Sequence, residues 1–142
     1  MRTREIANTP EKGQKRYRLY RSVIKKYNEA MERGFFLEAI ALMESIITDR
    51  MESALINYGI ISKDEAFMML GKCLDLLDKE GLISDELYAE IDTWRGNRNR
   101  ALHEMAKIEE GENAVFKQRY DNQKIIAEKG YDLFSKLKTE LQ

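Results

Sequence analysis

The chain's only proline is Pro10, and that placement does most to limit what it can fold into. Proline breaks helix interiors because it has no amide N–H and its ring clashes with the preceding turn. Nothing of that kind interrupts the sequence after residue 10, and long stretches are Ala, Leu, Glu, Lys, Met and Arg, the good helix formers. Beyond Lys15 the apolar residues recur at spacings of three and four. Tyr17, Tyr20, Ile24, Tyr27 and Met31 share one face of a helix that stops at Gly34. Phe36, Ile40, Met43, Ile47, Met51 and Ala54 stripe a second helix from about Phe35 to Tyr58. Ser62-Lys63-Asp64-Glu65 has the form of a capping box. It opens a third helix that carries Phe67, Leu70, Leu74 and Leu77 to about Lys79, with Gly81 suited to the left-handed position beyond it. Ser84 can cap a fourth helix striped by Leu87, Ile91 and Trp94, with Asp85 and Glu86 in its first turn. After a loop at 109–113, Tyr120, Ala127, Tyr131, Phe134, Leu137 and Leu141 line a last helix starting near Ala114. No strand periodicity competes, so the expected fold class is all-α, an antiparallel bundle of four to five helices.

A chain of 142 residues fits one domain. The pairing of 43% hydrophobic with 35% charged residues suits ordered, striped helices rather than a disordered chain. Residues 1–14 read as a flexible basic arm and residues 15–142 as a single bundle domain. The net charge of -1 does not announce a nucleic-acid binder, but its distribution is uneven. Met1 to Tyr27 holds nine basic residues, from Arg2 to Lys26, against only Glu5 and Glu11, an excess of seven. That excess is either an electrostatic arm for a polyanion or a solvated helix face.

The single cysteine, Cys73, can form no intramolecular disulfide and no cysteine-rich zinc site, and it sits among Leu70, Leu74 and Leu77. A buried apolar role is expected for it. There is no apolar leader segment and no run long enough for a membrane span, so a cytoplasmic location and no membrane partner are expected.

Chemistry concentrates in residues 93–105, Thr-Trp-Arg-Gly-Asn-Arg-Asn-Arg-Ala-Leu-His-Glu-Met, which hold the only tryptophan and the only histidine. Gly96 and Asn97 make room for a kink or helix break. If helix runs across 95–105, Arg98 points with Leu87, Trp94 and Met105 toward the apolar face. Arg95, Asn99 and His103, four apart, then form a neighbouring strip on which Asn99 and His103 can hydrogen-bond. Such a cluster suits phosphodiester chemistry. Histidine moves protons near neutral pH, arginine forks onto phosphoryl oxygens, and asparagine can fix an imidazole tautomer or hold a phosphate oxygen. On the second helix, Glu44 falls inside the apolar arc, between the directions of Met51 and Leu55. It either sits at the rim and reaches water or meets a partner across the bundle, with Arg98 and Arg95 the candidates.

Arg98, Asn99 and His103 match the Arg-Asn-x-x-x-His form of the motif of the HEPN superfamily, and the chain resembles that family. With this composition chance would give the pattern roughly 0.004 times, so the match has weight despite its six-residue length. The helical organisation over most of residues 15–141 is similar too, but nonspecifically. The resemblance implies a helical bundle that dimerises with two motifs facing each other. In active members it implies metal-independent endoribonuclease activity: the ribose 2′-hydroxyl attacks the adjacent phosphate, leaving a 2′,3′-cyclic phosphate and a 5′-hydroxyl. Arg98, Asn99 and His103 are then the catalytic candidates, Arg95 and Arg100 the RNA-binding candidates, and Glu44 a supporting residue. No cofactor and no metal are implied. RNA, a second copy of the chain, and an antitoxin or regulatory protein are the implied partners, in a toxin or phage-defence setting. The alternative is a catalytically inactive helical module that binds RNA or protein. In the blandest alternative, His103 is a surface histidine and Arg98 an ion-pair partner at the core edge.

Overall fold

The computed structural model describes residues 2–141, and these form five α-helices with no strand among them. The helices are α1 (Pro10–Arg33), α2 (Phe36–Asn57), α3 (Leu70–Lys79), α4 (Asp85–His103) and α5 (Phe116–Glu140), packed as an antiparallel bundle. α2 is the central helix, flanked by α1, α3 and α5 and touched by α4. Its whole predicted stripe is buried, and so are Ile46 and Leu55 beyond it. A helix surrounded on several sides buries a wider arc than one stripe. No helix among the described residues is long and apolar enough to cross a membrane.

Local signals explain most boundaries. Thr9 caps α1 by accepting the Lys12 N–H at 3.2 Å, and Pro10 takes the first position, where its missing donor costs nothing. Gly34 ends α1 with φ 75°, and Phe35 donates back to the Ala30 carbonyl at 2.8 Å. Ser84 caps α4 by accepting from Leu87 N–H at 3.1 Å. Cys73 is fully buried, and burial, reinforced by Glu52, pushes its thiol up to about 12.

Three expectations are corrected by tertiary contacts. First, α1 starts at Pro10, and the preceding segment is tied down rather than loose. Arg4 bridges Asp49 at 2.5 Å and Glu52 at 2.6 Å on α2, its backbone N–H donates to Lys63, and the Thr3 hydroxyl meets Asp64 at 3.0 Å. Second, residues 62–69 do not continue into the third helix. Glu65 does bond back to the Ser62 N–H at 3.0 Å, but the element is a single 3₁₀ turn, Lys63–Glu65. The buried Glu52 carboxylate then takes the Met68 N–H at 2.8 Å, and Phe67 sits at φ 65° under the Arg2 guanidinium. Phe67 is thus exposed rather than core. Third, α4 runs unbroken through Gly96 and Asn97. An interior glycine costs about 1 kcal/mol of helix propensity. Here it is outweighed by anchors on either side: the buried Trp94 indole, which donates to Ile126 O at 2.8 Å, and Arg98.

Candidate functional site

The C-terminal half of α4 carries every residue of the Arg-Asn-x-x-x-His pattern, and the continuous helix sets their directions. Arg98 points inward. Its side chain is only 11% exposed, and its Nη1 forms an ion pair with Glu44 of α2, whose side chain is 27% exposed. Of the two partners open to Glu44, the fold supplies Arg98. Burial pulls the Arg98 pKa down, and the Glu44 carboxylate is the charge that compensates a guanidinium that stays protonated in any case. One donor is left over: Arg98 Nε is buried with no hydrogen-bond partner.

Arg95 goes elsewhere. It pairs with Asp92 one turn back at 2.9 Å and lies across Gly71 at the start of α3. A Cβ at Gly71 would run into the Arg95 guanidinium, so this close approach depends on glycine. Asn99 and His103 are both exposed, and the expected hydrogen bond between them is not made. His103 is the last residue of α4, with exposed Arg100 in the same turn.

Beyond His103 the chain turns through a loop whose geometry is imposed by a residue the sequence reading did not single out. Arg119, on α5, donates to the carbonyls of Glu104 (3.0 Å), Met105 and Lys107 (2.6 Å) and pairs with Glu112 at 3.0 Å. One guanidinium thereby satisfies three backbone acceptors that no helix or sheet ladder would serve. Its partners are 7 to 15 residues away, so no local pattern marks it.

Two depressions flank this stretch. On one side Asn97, Arg100, Glu104 and Arg119 border a hollow of about 330 Å³ between the end of α4, the loop and α5. On the other, an open groove of about 650 Å³ lies between α3 and α4, with Arg95, Arg98 and Asn99 along its α4 side, Met69, Leu70, Lys72 and Leu76 along its α3 side, and Glu44 of α2 also lining it. Among the described residues no three His, Cys, Asp or Glu side chains converge as a metal-ligand set.

The basic N-terminal region divides in two. Arg4 and Arg16 are spent on Asp49, Arg4 also on Glu52, and Tyr20 hydrogen-bonds the same Asp49 carboxylate. Lys15 and Lys26 pair with Glu5 and Glu38. Arg18, Arg21 and Lys25 stand exposed on the outer face of α1 in no ion pair among the described residues, with Arg21 over the ring of exposed Tyr17. The fold and site therefore define a five-helix bundle with an arginine-rich edge on α4. Comparison with protein-family models, curated proteins and solved structures finds no match for this chain.

Proposed function

We propose that this chain is a HEPN-type metal-independent endoribonuclease that works as a homodimer. The observation that carries the reading is the division of the Arg-Asn-x-x-x-His residues on one unbroken helix. Arg98 is held at the core edge by Glu44, while Asn99 and His103 face solvent one turn apart. Arg98 supplies fixed positive charge for a phosphorane-like transition state, and His103 supplies the group that moves a proton. One protomer has one histidine, whereas in-line attack by a 2′-hydroxyl gains from both a base and an acid. The second comes from His103 of another copy across a two-fold interface. The exposed strip of α4 running to His103 is free to form it: at Gly96 a Cβ would meet open space. Arg95 and Arg100 flank the motif as RNA contacts, and an antitoxin or regulatory protein would cover the same edge in a toxin or phage-defence system.

The deciding experiment is cleavage of labelled RNA in EDTA by the full chain and by His103→Ala. The expected result is cleavage with 2′,3′-cyclic phosphate ends in the parent and none in the variant, with unchanged circular dichroism. Full activity in His103→Ala would end the assignment. A second reading, a catalytically inactive RNA- or protein-binding module, has its own support: among the described residues neither Asn99 nor any other side chain hydrogen-bonds the His103 imidazole. Absence of cleavage on any RNA, together with retained RNA binding, is the outcome that selects it.

A further inference from the structure

The groove between α3 and α4 has a chemistry of its own, and we propose that it holds one nucleotide of single-stranded RNA beside the scissile phosphate. The phosphate would lie against Lys72 and Arg95 and the base on an apolar shelf of Met69 and Leu76. This inference rests on the reading of RNA as the ligand and names the subsite that would position it.

The first argument is size. At about 650 Å³ the groove is in the range of roughly 300–1,000 Å³ used by small-molecule sites. The second is unspent charge. Four cations border it (Lys72, Lys79, Arg95 and Arg98) against two carboxylates, and of the four Arg98 and Arg95 are ion-paired, Arg95 with Asp92 at 2.9 Å, which leaves the two lysines unspent. Glu44 is taken by Arg98, and Asp75 accepts from the Tyr88 hydroxyl at 3.1 Å. Lys72 and Lys79 make no ion pair among the described residues, and the buried Arg98 Nε has no acceptor. What the groove lacks is an anion.

The third argument distinguishes a nucleotide from a simple anion. Met69 is 82% exposed at the groove's edge, next to Leu70 and Leu76. A polarizable thioether beside an aliphatic floor suits the face of a planar aromatic ring, which inorganic phosphate would leave uncovered. The fourth is placement. Arg98 and Asn99 belong to both the motif and the groove wall, so a nucleotide seated there runs directly into the proposed catalytic strip. Gly71 completes the arrangement by letting the Arg95 side chain cross the first turn of α3.

The test titrates the full chain at low salt with nucleoside 3′-monophosphates and, separately, with inorganic phosphate. The variants are Gly71→Ala, Lys72→Ala/Lys79→Ala and Met69→Ala. Gly71→Ala keeps every charge and improves helix propensity, so it displaces Arg95 without threatening the fold, which circular dichroism checks. Nucleotide binding is expected to exceed phosphate binding. Gly71→Ala and the double lysine variant are expected to weaken it by on the order of tenfold, the scale of one lost charge-assisted hydrogen bond. Met69→Ala should weaken nucleotide but not phosphate. Equal affinity for nucleotide and phosphate, or no response to Gly71→Ala and the lysine variants, overturns the proposal. The two readings fail separately. His103-dependent RNA cleavage whose KM ignores the groove variants keeps the nuclease and removes the subsite. Nucleotide binding that follows the expected pattern in a chain that cleaves no RNA keeps the subsite and removes the nuclease.

Discussion

Truncating Glu44 to alanine isolates what the α2–α4 ion pair does. Arg98 is 11% exposed, so without Glu44 its guanidinium stays in the bundle edge with no counter-charge and a second orphaned nitrogen beside Nε. Breaking one side of a buried pair costs roughly 3–5 kcal/mol. The open groove next to Arg98 admits some water, which places Glu44→Ala near the lower end, about 3 kcal/mol. Arg98→Ala should cost less, about 2 kcal/mol, because the 27%-exposed Glu44 carboxylate can hydrate in place. The double variant Glu44→Leu/Arg98→Met, which removes both charges and keeps the volume, should recover to within about 1 kcal/mol of the parent. Urea unfolding followed at the helical circular-dichroism band reads this directly. With a slope of about 1–3 kcal/mol per molar, 3 kcal/mol moves the midpoint by about 1–3 M. The same variants separate stability from chemistry, since Arg98→Ala should abolish RNA cleavage while Glu44→Gln, which keeps a hydrogen-bond acceptor, should retain most of it. A Glu44→Ala midpoint within about 0.2 M of the parent would refute the argument that Glu44 compensates a buried charge.

Other outcomes follow from separate parts of the molecule. At Gly130 a Cβ would stand 2.9 Å from Trp94 Cζ2 and 3.0 Å from Met43 Cβ, so Gly130→Ala should cost about 1–3 kcal/mol by overpacking, visible in urea unfolding and in Trp94 fluorescence. Reversing Arg18, Arg21 and Lys25 to glutamate should lower the log–log salt slope of single-stranded RNA binding by about 2, whereas Arg4→Ala, which removes a charge already spent on Asp49 and Glu52, should leave it unchanged; the opposite ranking would return RNA binding to the arm. Burial raises the Asp49 carboxyl, but hydrogen bonds from Arg4 and Tyr20 and the nearby Arg16 outweigh it and hold the folded value below the ordinary 3.8. A depressed folded pKa means the stabilisation is complete above the unfolded value and is lost as pH falls through the folded one. The arm should therefore stay protected from proteolysis down to about pH 4 and release below it, and Asp49→Asn should remove that acid transition. Release centred above pH 5 would contradict it.

Helix formation and its chemistry were legible in the sequence because both depend on neighbours within a turn or two. Apolar spacing, the Gly34 stop and the Ser84 cap act through contacts three or four residues apart, and the helices follow from them, whereas the Thr9–Pro10 start of the first helix reads in the sequence as part of a loose arm. The Arg-Asn-x-x-x-His spacing likewise puts its residues on one helix, and a carboxylate inside an apolar arc asks for a cation, which is why Glu44 could be matched to arginine 54 residues away. Tertiary structure decided everything that turns on which distant group competes for a backbone or a charge. Glu52 captured the Met68 N–H and prevented a longer α3, Asp49 and Glu52 captured Arg4 and tied down the arm, and Trp94 with Arg98 carried α4 straight through Gly96. Arg119 shaped the loop after His103 through three carbonyls, and Gly71 opened a path for Arg95 that made one wall of a groove. Each of these joins segments that chain periodicity treats as independent, and a single buried ion pair or hydrogen bond is comparable to the few kilocalories that helix propensity offers over a turn.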